Sequence, residues 1–431
     1  MTQERPATGF GRDTQSTIYR DGAGGRRPAV PTGAAALADA ARSAMSPEAW
    51  AYVAGSAGSE STADANRAAL DRRQLLPRVL RNVAVRDLGI ELLGHRYPSP
   101  VLAAPVGALE LVHPDADLAV ARATAELGIP YIFSNQASRS MEETAAVMGD
   151  APRWFQLYWS SSDELVASLL RRAEAARAQA VVITLDTHTL GWRPRDLDLA
   201  YLPFIHGIGI AQYTSDPVFQ ALVRERAAQP STGPRPRVTP TAVRTLIDMT
   251  RHYPGRFLAK LRSGEPRVAV ETFLDVFSRP SLTWDDIAFA RANTSLPIVL
   301  KGIQHPDDAQ RAVRAGVDGI VVSNHGGRQV DGAVGSLDAL PGIVDVVNGR
   351  MPVLFDSGIR GGSDILKAMA LGASAVLVGR PWVYGLAIAG SRGVSEVLRN
   401  LIAEFDIALG LTGHTSVSEL SPETLVPTPS R

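Results

Sequence analysis

The sequence predicts an α/β fold: a (β/α)8 TIM barrel with an N-terminal helical extension and a long insertion after strand 4. Three observations carry that reading. Short apolar runs recur eight times between residues 101 and 378, amphipathic stretches lie between most of them, and polar or titratable side chains follow six consecutive runs. Runs that are apolar throughout describe strands buried on both faces, as in a parallel sheet covered by helices. Eight such units favour closure into a barrel. Periodicity alone also fits an open doubly wound sheet.

Residues 1–31 hold no apolar signal core and are rich in Gly, Arg, Thr and Asp. They predict a mobile arm ahead of a single barrel domain over 32–431. Ala-rich helical spacing over 34–54 leads into Tyr52 and the turn beyond it. The predicted strands are Val101–Ala104, Tyr131–Ser134, Trp154–Tyr158, Val181–Leu185, Ile298–Leu300, Gly319–Val322, Val353–Phe355 and Ala375–Val378. Helices are predicted over Asp115–Leu127, Ser162–Ala176, Trp284–Ala292, Pro306–Ala315 and Ser363–Leu371, with Ser162, Thr283 and Ser363 as N-caps. The fourth and fifth runs are separated by more chain than one helix needs. The excess, about 197–282, reads as a lid or an oligomer contact, with a Pro-, Arg- and Thr-rich centre from Gln229 to Pro240.

Composition excludes several classes. Lys+Arg and Asp+Glu both number 44, so no global basic field is available for nucleic acid or an anionic membrane. No run of 18 apolar residues predicts a membrane span. The absence of cysteine removes disulfides, thiolate metal sites and cysteine nucleophiles, and fits a cytoplasmic protein. The histidines are scattered without metal-ligand spacing, so no metal is expected. Neither a G-x-G-x-x-G after a first strand nor a phosphate-binding Walker sequence occurs, which disfavours a nicotinamide-binding domain.

In a barrel, the residues just past each strand face one rim, where catalysis takes place. Those positions hold Gln156 and Tyr158, then Thr184, Asp186 and Arg193, then Lys301. The last three rims hold Ser323 and His325 to Arg328, Asp356 to Arg360, and Gly379 with Arg380. His325 can accept a proton near neutral pH, and Asp186 can hold its ring. Arg193 and Arg328 match a carboxylate, and Tyr158 can donate to a substrate oxygen. The Gly-rich turns with Arg360 and Arg380 suit a phosphate held by backbone N–H groups. A base, two arginines and a phosphate site suggest a phosphorylated cofactor beside a small carboxylic acid.

At these residues the sequence resembles the FMN-dependent α-hydroxy acid oxidase and dehydrogenase family. The resemblance rests on Ser323-Asn324-His325-Gly326-Gly327-Arg328-Gln329, on Asp356-Ser357-Gly358-Ile359-Arg360-Gly361-Gly362, and on Val378-Gly379-Arg380-Pro381. It runs from about residue 34 to residue 422. Within the family, Ile183 to Thr187, Gly191 to Leu197, Thr214 to Phe219 and Leu300 to Ala309 are similar to the lactate 2-monooxygenase branch.

The resemblance implies FMN as cofactor, a small L-2-hydroxy acid and O2 as substrates, and a homotetramer or homo-octamer. It implies His325 as base, paired with Asp186, and Arg193, Arg328 and Tyr52 on the substrate carboxylate, with Tyr158 at the hydroxyl. Lys301 would lie by the flavin N1–O2 edge, and Gln156 and Thr184 against the ring. Ala104, Pro105 and Val106 would lie along the flavin, with Ser134 and Ser323 nearby. Asp356, Ser357, Gly358, Arg360, Gly379 and Arg380 would hold the ribityl chain and phosphate. Lactate would become acetate, CO2 and water. The alternatives are an oxidase releasing keto acid and hydrogen peroxide, including one acting on a larger acid, and a dehydrogenase using another acceptor. Gly107 replaces a common Ala and is expected to leave room near the flavin. Gln136 places an amide where relatives carry Trp or smaller apolar groups, and Leu109 and Glu110 are candidate substrate contacts.

Overall fold

The computed structural model describes residues 9–229 and 238–427. Its centre is a closed barrel of parallel strands: β1 (Val101–Ala103), β2 (Tyr131–Phe133), β3 (Arg153–Tyr158), β4 (Val181–Thr184), β5 (Ile298–Ile303), β6 (Gly319–Val322), β7 (Val353–Phe355) and β8 (Ala375–Val378). Closure comes from β8 against β1, with Val376, Leu377 and Val378 opposite Val101, Leu102 and Ala103. The open-sheet alternative is thereby excluded.

Two apolar layers explain why the strands carry no alternation. One set of side chains, including Leu102, Ile132, Trp154, Val182, Val299, Val321, Leu354 and Leu377, fills the barrel interior. The alternate set packs against the surrounding helices. The hairpin Ile90–Leu92 with His95–Tyr97 plugs the N-terminal mouth. There Trp154 Nε1 donates to the Tyr97 hydroxyl, which donates to Gln179. The opposite mouth stays free for chemistry.

The N-terminal extension comprises helices Ala34–Ala44, Pro47–Ala54 and Ser61–Asp71. Ser46 caps the second by accepting from Ala49 N–H. The loop between the second and third reaches the rim, where Ala57 N–H donates to Gly327 and Gly58 N–H to Trp192. This brings Tyr52 to the catalytic mouth.

Three expectations change. Residues 1–8 lie outside the described residues, but 10–23 of the expected mobile arm form a helix, Phe10–Ala23. It docks on the last long helix, Arg380–Leu411, through Gly11 N–H to Asp406. Thr283 does not cap: the helix begins at Asp286, whose carboxylate accepts from Thr283 N–H. Ser363 lies inside the first turn of Gly362–Ala370, and Asp364 accepts from the N–H groups of Arg360 and Gly361. Ser162 does cap its helix, accepting from Leu165 N–H. The insertion is built from helices, chiefly Pro217–Ala228, Pro240–His252 and Glu265–Val276. Most of its Pro-rich centre, 230–237, lies outside the described residues. No helix among the described residues is long and apolar enough to cross a membrane.

Candidate active site

The C-terminal ends of the strands surround a cavity of about 1140 Å3. Its wall includes Tyr52, Ala104, Pro105, Val106, Gln156, Tyr158, Thr184, Arg193, Lys301, His325, Arg328, Asp356, Ser357, Gly358, Arg360, Gly379 and Arg380. The barrel therefore brings together nearly all the predicted site residues. Ser134, Asp186 and Ser323 stand just behind the wall and bond to side chains in it.

His325 and Asp186 form one unit. Nδ1 of His325 lies 2.9 Å from Asp186 Oδ1, and the Thr187 hydroxyl donates to the same oxygen at 3.1 Å. Burial opposes the charge on Asp186, but His325 and Lys301 more than offset it and hold the carboxyl at about 2. An ionised carboxylate only accepts, so the ring carries its proton on Nδ1 and presents Nε2 as the base. Burial lowers the His325 pKa, with Asp186 working in the opposite direction. His325 adopts φ +58° and Ser357 φ +81° on neighbouring rims, strained values for residues with side chains. The Ser357 hydroxyl accepts from Gly326 N–H at 2.9 Å, which fixes the turn that carries the imidazole.

Arg193 and Arg328 have no carboxylate ion pair among the described residues. Arg193 donates to the Arg328 carbonyl at 3.1 Å and to Gln329 Oε1 at 3.0 Å. Arg328 donates to the carbonyls of Tyr52 and Gly55 and lies 5.1 Å from the Tyr52 ring centre. Burial and then the neighbouring Arg328 bring the Arg193 pKa down to about 10, which leaves Arg193 charged at neutral pH. Two enclosed cations at one cavity wall attract an anion. Burial raises the pKa of both Tyr52 and Tyr158, so their hydroxyls keep their protons as hydrogen-bond donors.

The opposite side of the cavity fits FMN. Arg380 donates to the carbonyls of Val53, Gly55 and Gly326 and to the Ser56 hydroxyl. Arg360 donates to the Ile359 carbonyl. Neither pairs with a carboxylate among the described residues. Burial and nearby arginines hold Arg380 down at about 9. These cations flank the N-terminus of helix Arg380–Leu411, a natural place for a phosphate. The cavity wall also holds apolar Ala104, Pro105 and Val106 and a polar set that includes Gln156, Thr184 and Lys301. In that set Ser134 donates to Gln156 Oε1, and Gln156 Nε2 donates to Thr184, each at 3.1 Å. Lys301 is buried, 2.8 Å from Ser323 Oγ and 3.2 Å from Asp356. Burial works against its charge, but Asp356 and Asp186 outweigh it and raise its pKa. A fixed ammonium and an apolar wall suit the edge and face of an isoalloxazine. When bound, FMN supplies the two-electron acceptor.

Sequence reasoning missed Thr187, which bridges the His–Asp pair, and Gln329, which ties Arg193 to the loop after β4. It also missed the apolar cover of Leu190, Phe204 and Phe277. Phe204 and Phe277 come from the insertion and pack on Phe273 with ring centres 5.2 Å apart in each case. Leu109 and Glu110 do not line the cavity: Leu109 is core, and Glu110 pairs with Arg139 and His252. Gly107 does not open space either. A Cβ there would meet Gln136 O at 2.8 Å and Gln136 Cβ at 2.9 Å.

Fold and site together define a flavin-dependent oxidoreductase that works on a carbon beside a carboxylate. The family described as FMN-dependent dehydrogenase matches residues 41–427, and the chain belongs to it. The chain is 43% identical to the FMN-dependent alpha-hydroxy acid dehydrogenase qulF of Penicillium citrinum, covering 96% of this chain and 95% of the relative. It is 40% identical to an L-lactate oxidase of Lysinibacillus sphaericus, covering 88% of both. A crystal structure of mandelate oxidase superimposes with a TM-score of 0.75 at 38% identity, covering 93% of this chain and 99% of that one. The protein is an FMN-dependent oxidoreductase acting on 2-hydroxy acids.

Proposed function

We propose that the protein oxidises an L-2-hydroxy acid with O2 and retains the keto acid, as a lactate 2-monooxygenase does, with L-lactate as the simplest substrate. Arg193 and Arg328 hold the carboxylate, Tyr158 donates to the substrate oxygen, and His325 Nε2 takes the proton while Asp186 stabilises the imidazolium. Hydroxy acid and O2 then give keto acid and hydrogen peroxide. If the two stay together, peroxide decarboxylates the keto acid to the shortened acid, CO2 and water.

The observation that carries this reading is the cover over the cavity. Phe204 and Phe277 of the insertion form part of its wall, and Phe204 meets Tyr52 edge-on at 6.5 Å. A cover anchored by an aromatic cluster slows product escape and excludes water. A second reading, an oxidase that releases keto acid and peroxide from a larger acid, is favoured by the amide of Gln136 in the wall. Carbon-13 NMR after aerobic turnover of labelled L-lactate tests the pair. Acetate and CO2 are expected, whereas pyruvate with one equivalent of peroxide would overturn product retention. The family likeness also supports an assembly of four or eight copies.

A further inference from the structure

We propose that Arg67, on the extension helix Ser61–Asp71, is a positioning residue for the cofactor phosphate: it occupies the carboxylate of Asp364 and so leaves the Arg360 guanidinium to the phosphate. The inference rests on FMN binding at this site with its phosphate beside Arg360 and Arg380. Arg67 lies outside the cavity wall, whereas Arg360 is part of it. Nη1 of Arg67 donates to Asp364 Oδ2 at 2.7 Å and to the Gly358 carbonyl at 2.6 Å. The same carboxylate oxygen accepts from the N–H groups of Arg360 at 2.8 Å and Gly361 at 3.2 Å. Asp364 is 4% exposed, and its one ion pair among the described residues is with Arg67. A single buried anion therefore ties down the turn after β7, and Arg67 supplies its countercharge.

A buried carboxylate that loses its cation is costly and draws in any other cation within reach. Arg360 is that cation: it belongs to the same turn, and its guanidinium donates only to the Ile359 carbonyl among the described residues. Burial lowers the Arg360 pKa. Tyr384 and Asp364 oppose that change and Arg67 adds to it, so both members of the ion pair act on the Arg360 charge. The helix carrying Arg67 is fixed against the turn. Gly358 has φ +106°, and a Cβ there would lie 3.0 Å from Leu70 Cδ1 and 3.2 Å from Asn66 O. Lys367 Nζ, on the helix after the turn, donates to the Leu70 carbonyl at 3.0 Å. The extension thus brings a countercharge to a turn whose residues Ser357 to Arg360 line the cavity.

Riboflavin, which is FMN without the phosphate, separates this role from a purely structural one. Fluorescence titration of the full-length apoprotein with each flavin gives the ratio of the two dissociation constants. Wild type should prefer FMN. Arg67→Met should weaken FMN binding by about 10-fold and leave riboflavin binding within about twofold of wild type. Adding Asp364→Asn to Arg67→Met removes the competing anion and should restore most of the FMN preference, a recovery that damage to the fold would not give. Arg67→Gln, which keeps an amide N–H for the Gly358 carbonyl, serves if Arg67→Met does not fold. An unchanged FMN-to-riboflavin ratio, an equal loss of both flavins, or no recovery in the double variant would overturn the role of Arg67. Equal binding of FMN and riboflavin by wild type would instead refute the phosphate site, and the Arg67 assignment with it.

Discussion

His325 Nδ1 and Asp186 Oδ1 meet at 2.9 Å across 139 residues of chain. β4 and β6 are not neighbours in the barrel, since β5 lies between them. Lys301, on the intervening β5, steadies the carboxylate with its charge.

This pairing sets the pH dependence. The neutral ring is the base, and burial places its pKa below 6.5, so kcat/KM should rise with pH along an acid limb centred below 6.5. Asp186 raises that pKa, so Asp186→Asn should move the limb to lower pH. It should also reduce the plateau by roughly 10²–10⁴-fold. A pH–rate profile of both proteins checks the direction, and an upward shift would refute it. Both groups bind fewer protons folded than unfolded, so the stability they contribute is lost as pH falls.

Arg380 should govern cofactor retention. Arg380→Met removes one of two cations at the phosphate end, and charge-assisted bonds contribute about 1.5–3 kcal/mol each. FMN should bind roughly 10- to 100-fold more weakly. Titration of the apoprotein by flavin fluorescence quenching measures this directly, and unchanged affinity would move the phosphate elsewhere.

Gly302 should be required for the catalytic pair. It follows Lys301 with φ +108°, and a Cβ there would lie 2.9 Å from both Cβ and Cγ of Asp186. Gly302→Ala should therefore displace Asp186 from His325 and mimic the pH shift of Asp186→Asn, with FMN still bound. If kcat/KM and its acid limb were unchanged, the packing argument would fail.

Asp406 should matter for stability far from the chemistry. It is buried, takes both Nε and Nη2 of Arg86 at 2.6 and 2.8 Å, and accepts from Gly11 N–H. Asp406→Ala leaves that arginine unpaired and should destabilise by about 3–5 kcal/mol. Chemical denaturation would measure the loss. Faster proteolysis before residue 24 would show that the first helix had undocked.

Much of the barrel was legible because buried parallel strands cannot hide their apolar runs, and because rim residues fall at fixed offsets from strand ends. The site was legible for the same reason: Gln156 and Lys301 lie two residues before a strand's C-terminal end, and His325 and Arg380 two or three residues beyond one. What the sequence concealed depends on tertiary partners. Phe10–Ala23 is polar and Gly-containing, and it takes its place through Asp406, which lies 395 residues from Gly11. Thr283 resembled a cap until Asp286 reversed the roles by accepting its N–H. Gly107 resembled an opening because Gln136 was not yet beside it. One missed signal was local. Asp216-Pro217 and Thr239-Pro240 each place an N-cap before a helix-starting proline, and both residues do cap helices of the insertion.

Closure of β8 onto β1 also dictates a timetable during synthesis. β1 leaves the ribosome with one side unpaired, and its partner is made only after residues 375–378 follow. At about 5–20 residues per second, that wait lasts roughly 15–55 s. Throughout it the nascent chain carries an apolar strand with free backbone donors and acceptors, a template for aggregation that cells shield with chaperones. The first helix waits longer still, because Asp406 is made after β8.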